Sequence, residues 1–325
     1  MMNFIKNDFN RIKSKKNYVI VSLLMTMISI VFAVYLTSKI EVKGNIAVVT
    51  NSKTAVFQSK YIKFILMEKM PPKYQLVLGK YDGVIIDKGN SKYDINTIKG
   101  KDFKNMLENI VTNPKGFVPE IKDVRGRGTS IIGFLLMFIL LQSVLYMFTL
   151  AEDMELKQIE RIAAAPISFF KYLLSHFIFS FFFVFAPAFF TLVVVKEIFG
   201  FNIGFSLLQY VGLLGLSCSL GIAFSMFINS LVKVSDTANM MGSSIVVLTT
   251  ILAGSFYSFQ KGNGVLDKLI WVFPQKDFLS FVQGLENGKE IWTMLPQLSY
   301  VIILSLVFFT YSIIKIKKDY VLRRD

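Results

Sequence analysis

Residues 151–168 read AEDMELKQIERIAAAPIS, and this polar stretch separates two long apolar stretches of the chain. The stretch before it, residues 129–150, reads TSIIGFLLMFILLQSVLYMFTL, and residues 169–195 after it read FFKYLLSHFIFSFFFVFAPAFFTLVVV. Apolar stretches of about 20 residues match the ~30 Å hydrocarbon core of a bilayer. A charged segment between two such spans must lie at the membrane surface, where a soluble partner can contact it.

The composition of the whole chain is that of an integral membrane protein. Of its 325 residues, 53% are hydrophobic and 32 are Phe, and the mean hydropathy is +0.53. Helices are expected as the spanning elements, because the alternating ten-residue strands of a membrane barrel are absent from the sequence. The net charge of +14 is attributed to membrane orientation and solubility rather than to nucleic acid, since no aromatic–basic RNA motif is present.

The order of apolar and polar segments predicts an all-α polytopic membrane protein with six transmembrane helices. A small extracytoplasmic α/β domain is inserted between helices one and two. Six spans place both termini on one side, and their short Lys- and Arg-rich flanks indicate the cytoplasm. The predicted segments are a cytoplasmic interfacial helix (1–17), transmembrane helix 1 (18–38), the extracytoplasmic domain (39–128), and transmembrane helices 2–6 (129–325). The range 129–325 also contains a cytoplasmic coupling segment (151–170) and an external hairpin (257–293).

Within the predicted external domain, local patterns distinguish strands from helices. Alternating or short apolar runs predict strands at 45–50, 74–79 and 81–87, and helical spacing predicts helices at 54–70 and 101–111. The many lysines of this domain do not argue against translocation, because long loops cross the membrane largely regardless of charge.

Chemistry of the catalytic kind is missing from the sequence. There is no G-x-x-x-x-G-K-[ST] motif, so the chain is not expected to bind a nucleotide itself. His176 and Cys218 are the only residues of their types, which predicts no metal site, no cofactor and no enzyme. His176 is interpreted as an interfacial or packing residue, with a proton relay as the alternative. The spans are expected to lack buried Asp, Glu, Lys and Arg, which argues against a proton- or sodium-coupled carrier.

The run from Glu155 to Ser168 resembles the cytoplasmic motif of permease subunits of type-2 ABC transporters. Members carry an E-x-G-T-[LI]-[EK]-R-[LI]-x-x-[ST]-P-[IVL]-S-like run between the second and third spans. The residues of this chain that fit it are Glu155, Ile159, Glu160, Arg161, Ile162, Pro166 and Ser168. Lys157 and Gln158 stand where the family usually has Gly-Thr, and Ala165 where it often has Ser or Thr. The large segment between spans one and two is similar to the branch of the family with an external domain.

The resemblance implies the permease subunit of an ATP-driven exporter in the cytoplasmic membrane of a bacterium. Two permease chains, identical or related, would pair in the lipid, and each would dock on a separate ABC ATP-binding subunit that holds the ATP and Mg. Aromatic spans without buried charges favour an amphipathic or lipid-like cargo such as a drug or an antimicrobial, which would connect the chain to drug or antimicrobial resistance. The family that the motif resembles also includes exporters of polysaccharides and of sodium, and these cargoes stay open. Docking is assigned to Glu152, Glu155, Ile159, Glu160, Arg161 and Pro166, with further charge from Asp153.

Small residues recur four apart in the predicted fourth span, at Gly215, Ser219 and Ala223. Such spacing permits close helix approach, either within the chain or against the second permease chain. Two other functions remain as alternatives: a membrane-anchored receptor or scaffold whose external domain binds a ligand without transport, and a secondary carrier. Six spans exceed what an anchor needs, which disfavours the receptor, and the uncharged spans disfavour the carrier.

Overall fold

The computed structural model describes residues 2–14, 16–39, 45–50, 63–67, 70–72, 75–76, 81–87, 93–97, 101–112, 126–164, 168–256 and 270–320. The chain forms two compact units, one from residues 1–37 with 125–325, and one from residues 38–124. In chain order the elements are α1 (Met2–Ser14), α2 (Lys16–Lys39), β1 (Asn45–Val49), β2 (Lys63–Met67), β3 (Gly83–Asp87), β4 (Tyr93–Thr97), α3 (Lys101–Thr112), α4 (Arg127–Tyr146), α5 (Phe148–Glu155), α6 (Gln158–Ala164), α7 (Phe169–Val193), α8 (Leu207–Leu231), α9 (Ser235–Leu252), α10 (Pro274–Glu286) and α11 (Leu295–Tyr320).

Most of the described chain is helical, and part of it is apolar enough to cross a membrane. Four helical segments have the required length and hydropathy, namely Arg127–Glu155, Phe169–Ile198, Leu207–Leu231 and Ile291–Tyr320. They coincide with the predicted second, third, fourth and sixth spans. The predicted first and fifth spans correspond to α2, which contains a shorter apolar stretch, and to α9. The total of six spans therefore stays a prediction.

Helix α8 lies at the centre of the larger unit, where it packs against α4, α7 and α11. Its start is fixed by a capping box, since the Ser206 hydroxyl accepts from the Gln209 backbone N–H and the Gln209 side chain accepts from the Ser206 N–H. This reciprocal pair satisfies backbone donors that a helix start leaves open. The two helices α4 and α8 approach closely at Gly221, which lies against Ser143 and Leu140.

The smaller unit contains a four-stranded sheet in the order β2-β1-β3-β4. Strand β1 is parallel to both β2 and β3, and β4 is antiparallel to β3. One face of the sheet packs against α3, and a separate apolar cluster covers the other face. Both faces of β1 and β3 are buried, which explains their uninterrupted Ile and Val residues.

Two of the local predictions in this unit are wrong. Residues 63–67 form strand β2 rather than part of a helix, and Gln75 and Leu76 are helical rather than extended. The sequence KFILM is a short apolar run, and such a run does not distinguish a buried strand from a helix by its period. The strands predicted around β1 and β3 and the helix predicted at α3 are confirmed.

The contact at Gly221 gives a prediction about stability. A Cβ at this position would lie 2.6 Å from Oγ of Ser143 and 2.9 Å from Cδ2 of Leu140. Gly221→Val should therefore lower the free energy of unfolding by about 1–3 kcal/mol through overpacking. Gly212→Val in the same helix is the matched control, because outside the helix's own backbone no atom of the described residues lies within 4 Å of an added Cβ. Equal thermal unfolding midpoints of the two variants in detergent would contradict this packing.

Candidate functional site

The coupling segment begins as a continuation of α4. Helix α5 follows α4 after the single residue Met147, whose carbonyl accepts from the N–H groups of Leu150 and Ala151. The helix ends in a two-residue turn at Leu156 and Lys157, with the N–H of Leu156 donating to the carbonyl of Glu152 at 2.8 Å. Helix α6 starts directly after this turn. Any displacement of the turn is thus applied to the end of a membrane-length helix.

Arg11 of α1 binds the coupling segment through both nitrogens of its guanidinium fork. Nη1 donates to Oδ1 of Asp153 at 2.7 Å, and Nη2 donates to Oε2 of Glu152 at 2.8 Å. Burial alone would lower the pKa of Arg11, but the two carboxylates outweigh it and raise the pKa above its ordinary value. Charge-assisted contacts of this forked kind are both strong and directional. Helix α1 is consequently attached to the coupling segment.

The second carboxylate oxygen of Asp153 faces α7. The hydroxyl of Tyr172 donates to Oδ2 at 2.6 Å, and Nε2 of His176 lies 3.5 Å from the same oxygen. On the other side of the His176 ring, Nδ1 lies 2.9 Å from Oδ2 of Asp8. This contact is short, but it does not have the alignment of a hydrogen bond. Asp153 is only 3% exposed, and Asp8 and His176 are each 1% exposed. We call Asp8, Arg11, Asp153, Tyr172 and His176 the buried charge cluster.

This cluster corrects one expectation from the sequence. Asp153 is buried and is therefore unavailable as a surface charge for docking. It lies in the predicted coupling segment (151–170), at the end of the helical stretch Arg127–Glu155, so the expected absence of buried Asp, Glu, Lys and Arg inside the spans stays a prediction. His176 does pack in the bundle, with the Tyr172 ring meeting it edge-on at 4.7 Å, but it packs between two carboxylates.

Three of the predicted docking residues contact other parts of the same chain. Ile159 is completely buried and packs in the main apolar cluster. Glu152 is half-buried and bound to Arg11. Glu155 accepts at 3.1 Å from the N–H of Ser235, the first residue of α9. These residues connect the segment to the bundle, and their assignment to docking stays a prediction.

The other side of the segment is exposed. Glu160 and Arg161 lie at the surface, as do Lys157 and Gln158, and Leu156 at the turn is 63% exposed although it is apolar. We call residues 156–161, apart from the buried Ile159, the exposed tip. Pro166 lies outside the described residues.

The small residues predicted to mediate helix contacts differ in their burial. Ala223 is buried inside the bundle, whereas Gly215 and Ser219 are half-buried. A Cβ at Gly215 would only reach the Phe181 ring at 4.0 Å. The tight contact of α8 is instead at Gly221. Whether Gly215 and Ser219 contact a second chain stays a prediction.

A cavity of about 500 Å³ lies between α2, α4 and α9. Its wall is mainly apolar and includes a few uncharged polar side chains. The lining residues are Asn17, Val21, Met25, Phe138, Leu141, Gln142, Leu145, Asn239 and Ser243. Such a wall suits a largely apolar molecule with one or two hydrogen-bonding groups.

The long apolar helices of the larger unit are those of a membrane protein. The family model for the ABC-2 family transporter protein matches residues 59–314. The chain therefore belongs to the ABC-2 transporter family. No curated protein and no solved structure matched it. Members of this family are transport subunits that are not themselves catalytic and that normally work with an ATP-binding subunit.

Removal of the Arg11 side chain should destabilise the larger unit. Arg11→Ala would leave the Asp153 carboxylate buried without its cation, at a cost of about 3 kcal/mol for a pair that is largely buried. Lys13→Ala on the exposed side of the same helix is the control. Adding Asp153→Asn to Arg11→Ala should recover part of the loss. Equal thermal unfolding midpoints for Arg11→Ala and Lys13→Ala would contradict the importance of the cluster.

The backbone conformation of Lys157, in the turn of the exposed tip, predicts how a glycine at this position would change stability. Lys157 has φ of 54°, a left-handed conformation that costs a non-glycine residue about 1–2 kcal/mol. This is the position where the family motif usually has Gly, so Lys157→Gly should preserve or raise the thermal unfolding midpoint. Gln158→Gly, inside α6, should lower it. Loss of stability in both variants to the same extent would exclude this explanation.

Proposed function

We propose that this chain is the transmembrane permease subunit of an ATP-driven exporter and that its exposed tip binds a separate ABC ATP-binding subunit. The observation that carries the proposal is the two-sided character of the coupling segment. One side is bound to α1, α7 and α9, and the other presents Leu156 beside Glu160 and Arg161. Exposed apolar side chains next to an arginine are typical of protein interfaces.

The proposed topology has six spans with both termini in the cytoplasm of a bacterium. Helix α2 has 24 residues, about 36 Å at 1.5 Å per residue, and the 18 residues of α9 extend about 27 Å. Both lengths are compatible with a bilayer core of ~30 Å. The unit formed by residues 38–124 then lies outside the cell, and the coupling segment lies inside.

The proposed cargo is an amphipathic or lipid-like compound, such as a drug or an antimicrobial. Support comes from the cavity between α2, α4 and α9, whose apolar wall carries the amides of Gln142 and Asn239 and the hydroxyl of Ser243. A lipid-like molecule could bury its chain against such a wall and hydrogen-bond its polar end. We further propose that two permease chains, identical or related, pair in the membrane.

The mechanism follows from the contacts of the coupling segment. When ATP draws the ATP-binding subunits together, the exposed tip moves with the subunit that holds it. Arg11 transfers this movement to α1, Asp153 transfers it to Tyr172 of α7, and Glu155 transfers it to the start of α9. The helices around the cavity thereby change their relative positions, which changes access to the cargo.

Two substitutions in the exposed tip test the docking. Leu156→Ser combined with Arg161→Glu removes the apolar anchor and reverses the charge, without touching the buried charge cluster. The ATP-binding subunit should no longer co-purify in mild detergent, and ATP-dependent transport should be lost, while the permease remains folded. Leu66→Ser with Lys104→Glu is a matched control, because both residues are exposed in the smaller unit.

Two outcomes would reject parts of the proposal. Stoichiometric retention of the ATP-binding subunit by the tip variant would exclude docking through Leu156 and Arg161. Recovery of the unmodified chain without any ATP-binding subunit, even after crosslinking in the membrane, would reject the exporter and favour a membrane-anchored receptor or scaffold.

A further inference from the structure

We infer that Glu286 is a positioning residue that fixes the end of α4 remote from the coupling segment and releases it during transport. Both oxygens of this carboxylate accept backbone hydrogen bonds at the start of α4. Oε1 accepts from the N–H of Gly128 at 2.7 Å, and Oε2 accepts from the N–H of Thr129 at 2.8 Å. This inference rests on the proposed function, because it concerns how movement of the coupling segment is used.

The start of α4 has no cap of its own. Its N-cap residue, Gly126, has no side chain to accept a hydrogen bond, and the first N–H groups of a helix lack partners within that helix. Glu286 supplies the missing acceptors from the last turn of α10, 158 residues further along the chain. A carboxylate is also the charge that a helix N-terminus favours.

The space around this carboxylate depends on glycine. A Cβ at Gly126 would overlap the carboxylate itself, and a Cβ at Gly204 would lie 3.1 Å from its Oε1. Gly204 also has φ of 86°, which disfavours any other residue. The Phe205 ring closes a further side, against Gly128. Three chain segments therefore converge on Glu286: the start of α4, the loop before α8, and the end of α10.

The position of this contact along α4 suggests its use in transport. The segment Arg127–Glu155 is one membrane-length stretch, and its far end carries Glu152 and Asp153, which bind Arg11. Between its two ends the segment packs mainly through apolar side chains, with one buried hydrogen bond from Gln142 to Thr26 of α2 and the close contact at Gly221. Apolar contacts are not directional, so the hydrogen bonds at the two ends contribute to fixing where the segment sits along its axis.

A displacement of the coupling segment must therefore act against the Glu286 contact. In the conformation described here the contact is closed. We expect it to open when ATP binding displaces the exposed tip, and to close again when the tip returns. Without the carboxylate, the remote end of α4 loses two of the hydrogen bonds that fix its resting position, so we expect ATP hydrolysis to continue with less movement of cargo.

Glu286→Gln in the full transporter complex tests this coupling. Gln keeps the length of the side chain but offers one acceptor oxygen where the carboxylate offers two. Losing one hydrogen bond to a charged group should shift the equilibrium between the closed and the open contact about tenfold, so the ratio of transported cargo to hydrolysed ATP should fall while ATP hydrolysis itself is retained. Glu290→Gln is the control, since Glu290 is exposed four residues later. Glu286→Asp, which keeps the charge, should restore part of the ratio.

Hydrogen exchange of the backbone amides of residues 128 and 129 gives a readout that a static helix cap would not change. In the unmodified complex these amides should be protected without nucleotide and should exchange faster in an ATP-trapped state. Equal protection in both states, or a Glu286→Gln variant that is less stable but transports the normal amount of cargo per ATP, would overturn the inference.

Failure of the proposed function can be recognised separately. In that case the unmodified chain would stimulate no ATP hydrolysis and move no cargo, and the ratio could not be measured for any variant. That result would overturn both proposals, whereas normal coupling in Glu286→Gln would overturn only the role of Glu286.

Discussion

The buried carboxylate of Asp153 is the constraint on which the rest of the larger unit depends. A charge that is 3% exposed among apolar helices is stable only where other groups replace the water that it has lost. Arg11 and Tyr172 supply those groups from two different helices. Asp153 therefore binds both helix α1 and helix α7 to the coupling segment.

This constraint gives the coupling segment its two-sided character. The side that faces the bundle is bound by charge-assisted hydrogen bonds, and the opposite side exposes Leu156, Glu160 and Arg161. A partner that moved the exposed tip would move α1 and α7 with it, since their contacts are directional. At the remote end of α4, the Glu286 carboxylate accepts hydrogen bonds from the first backbone N–H groups of the helix and so binds that end to α10. A membrane-length segment is thus held by polar contacts at both ends, and between them by mainly apolar packing with one hydrogen bond from Gln142 to Thr26.

Much of the helical architecture could be predicted from the sequence, because apolar runs of membrane length are an unambiguous local pattern. The motif from Glu155 to Ser168 likewise indicated the family. Local patterns failed at β2, where KFILM fits a helix and a strand equally well. They could not predict the buried charge cluster, because Arg11 and Asp153 are 142 residues apart and only tertiary packing brings them together. One signal in the sequence could have indicated the cluster, namely that three charged residues, a histidine and a tyrosine occur near the ends of predicted spans.

The most direct test of the account is a distance measurement between α1 and the coupling segment in different nucleotide states. Spin labels at Lys13 and Gln158, in a chain with Cys218 replaced, would report this distance by pulsed electron resonance. A third label at Leu208, an exposed residue of α8 that takes no part in the buried charge cluster, would provide a reference. The distance from 13 to 158 should stay constant on ATP binding while the distance from 158 to 208 changes. A changing distance from 13 to 158, with a constant distance from 158 to 208, would show that the buried charge cluster does not join these elements during transport.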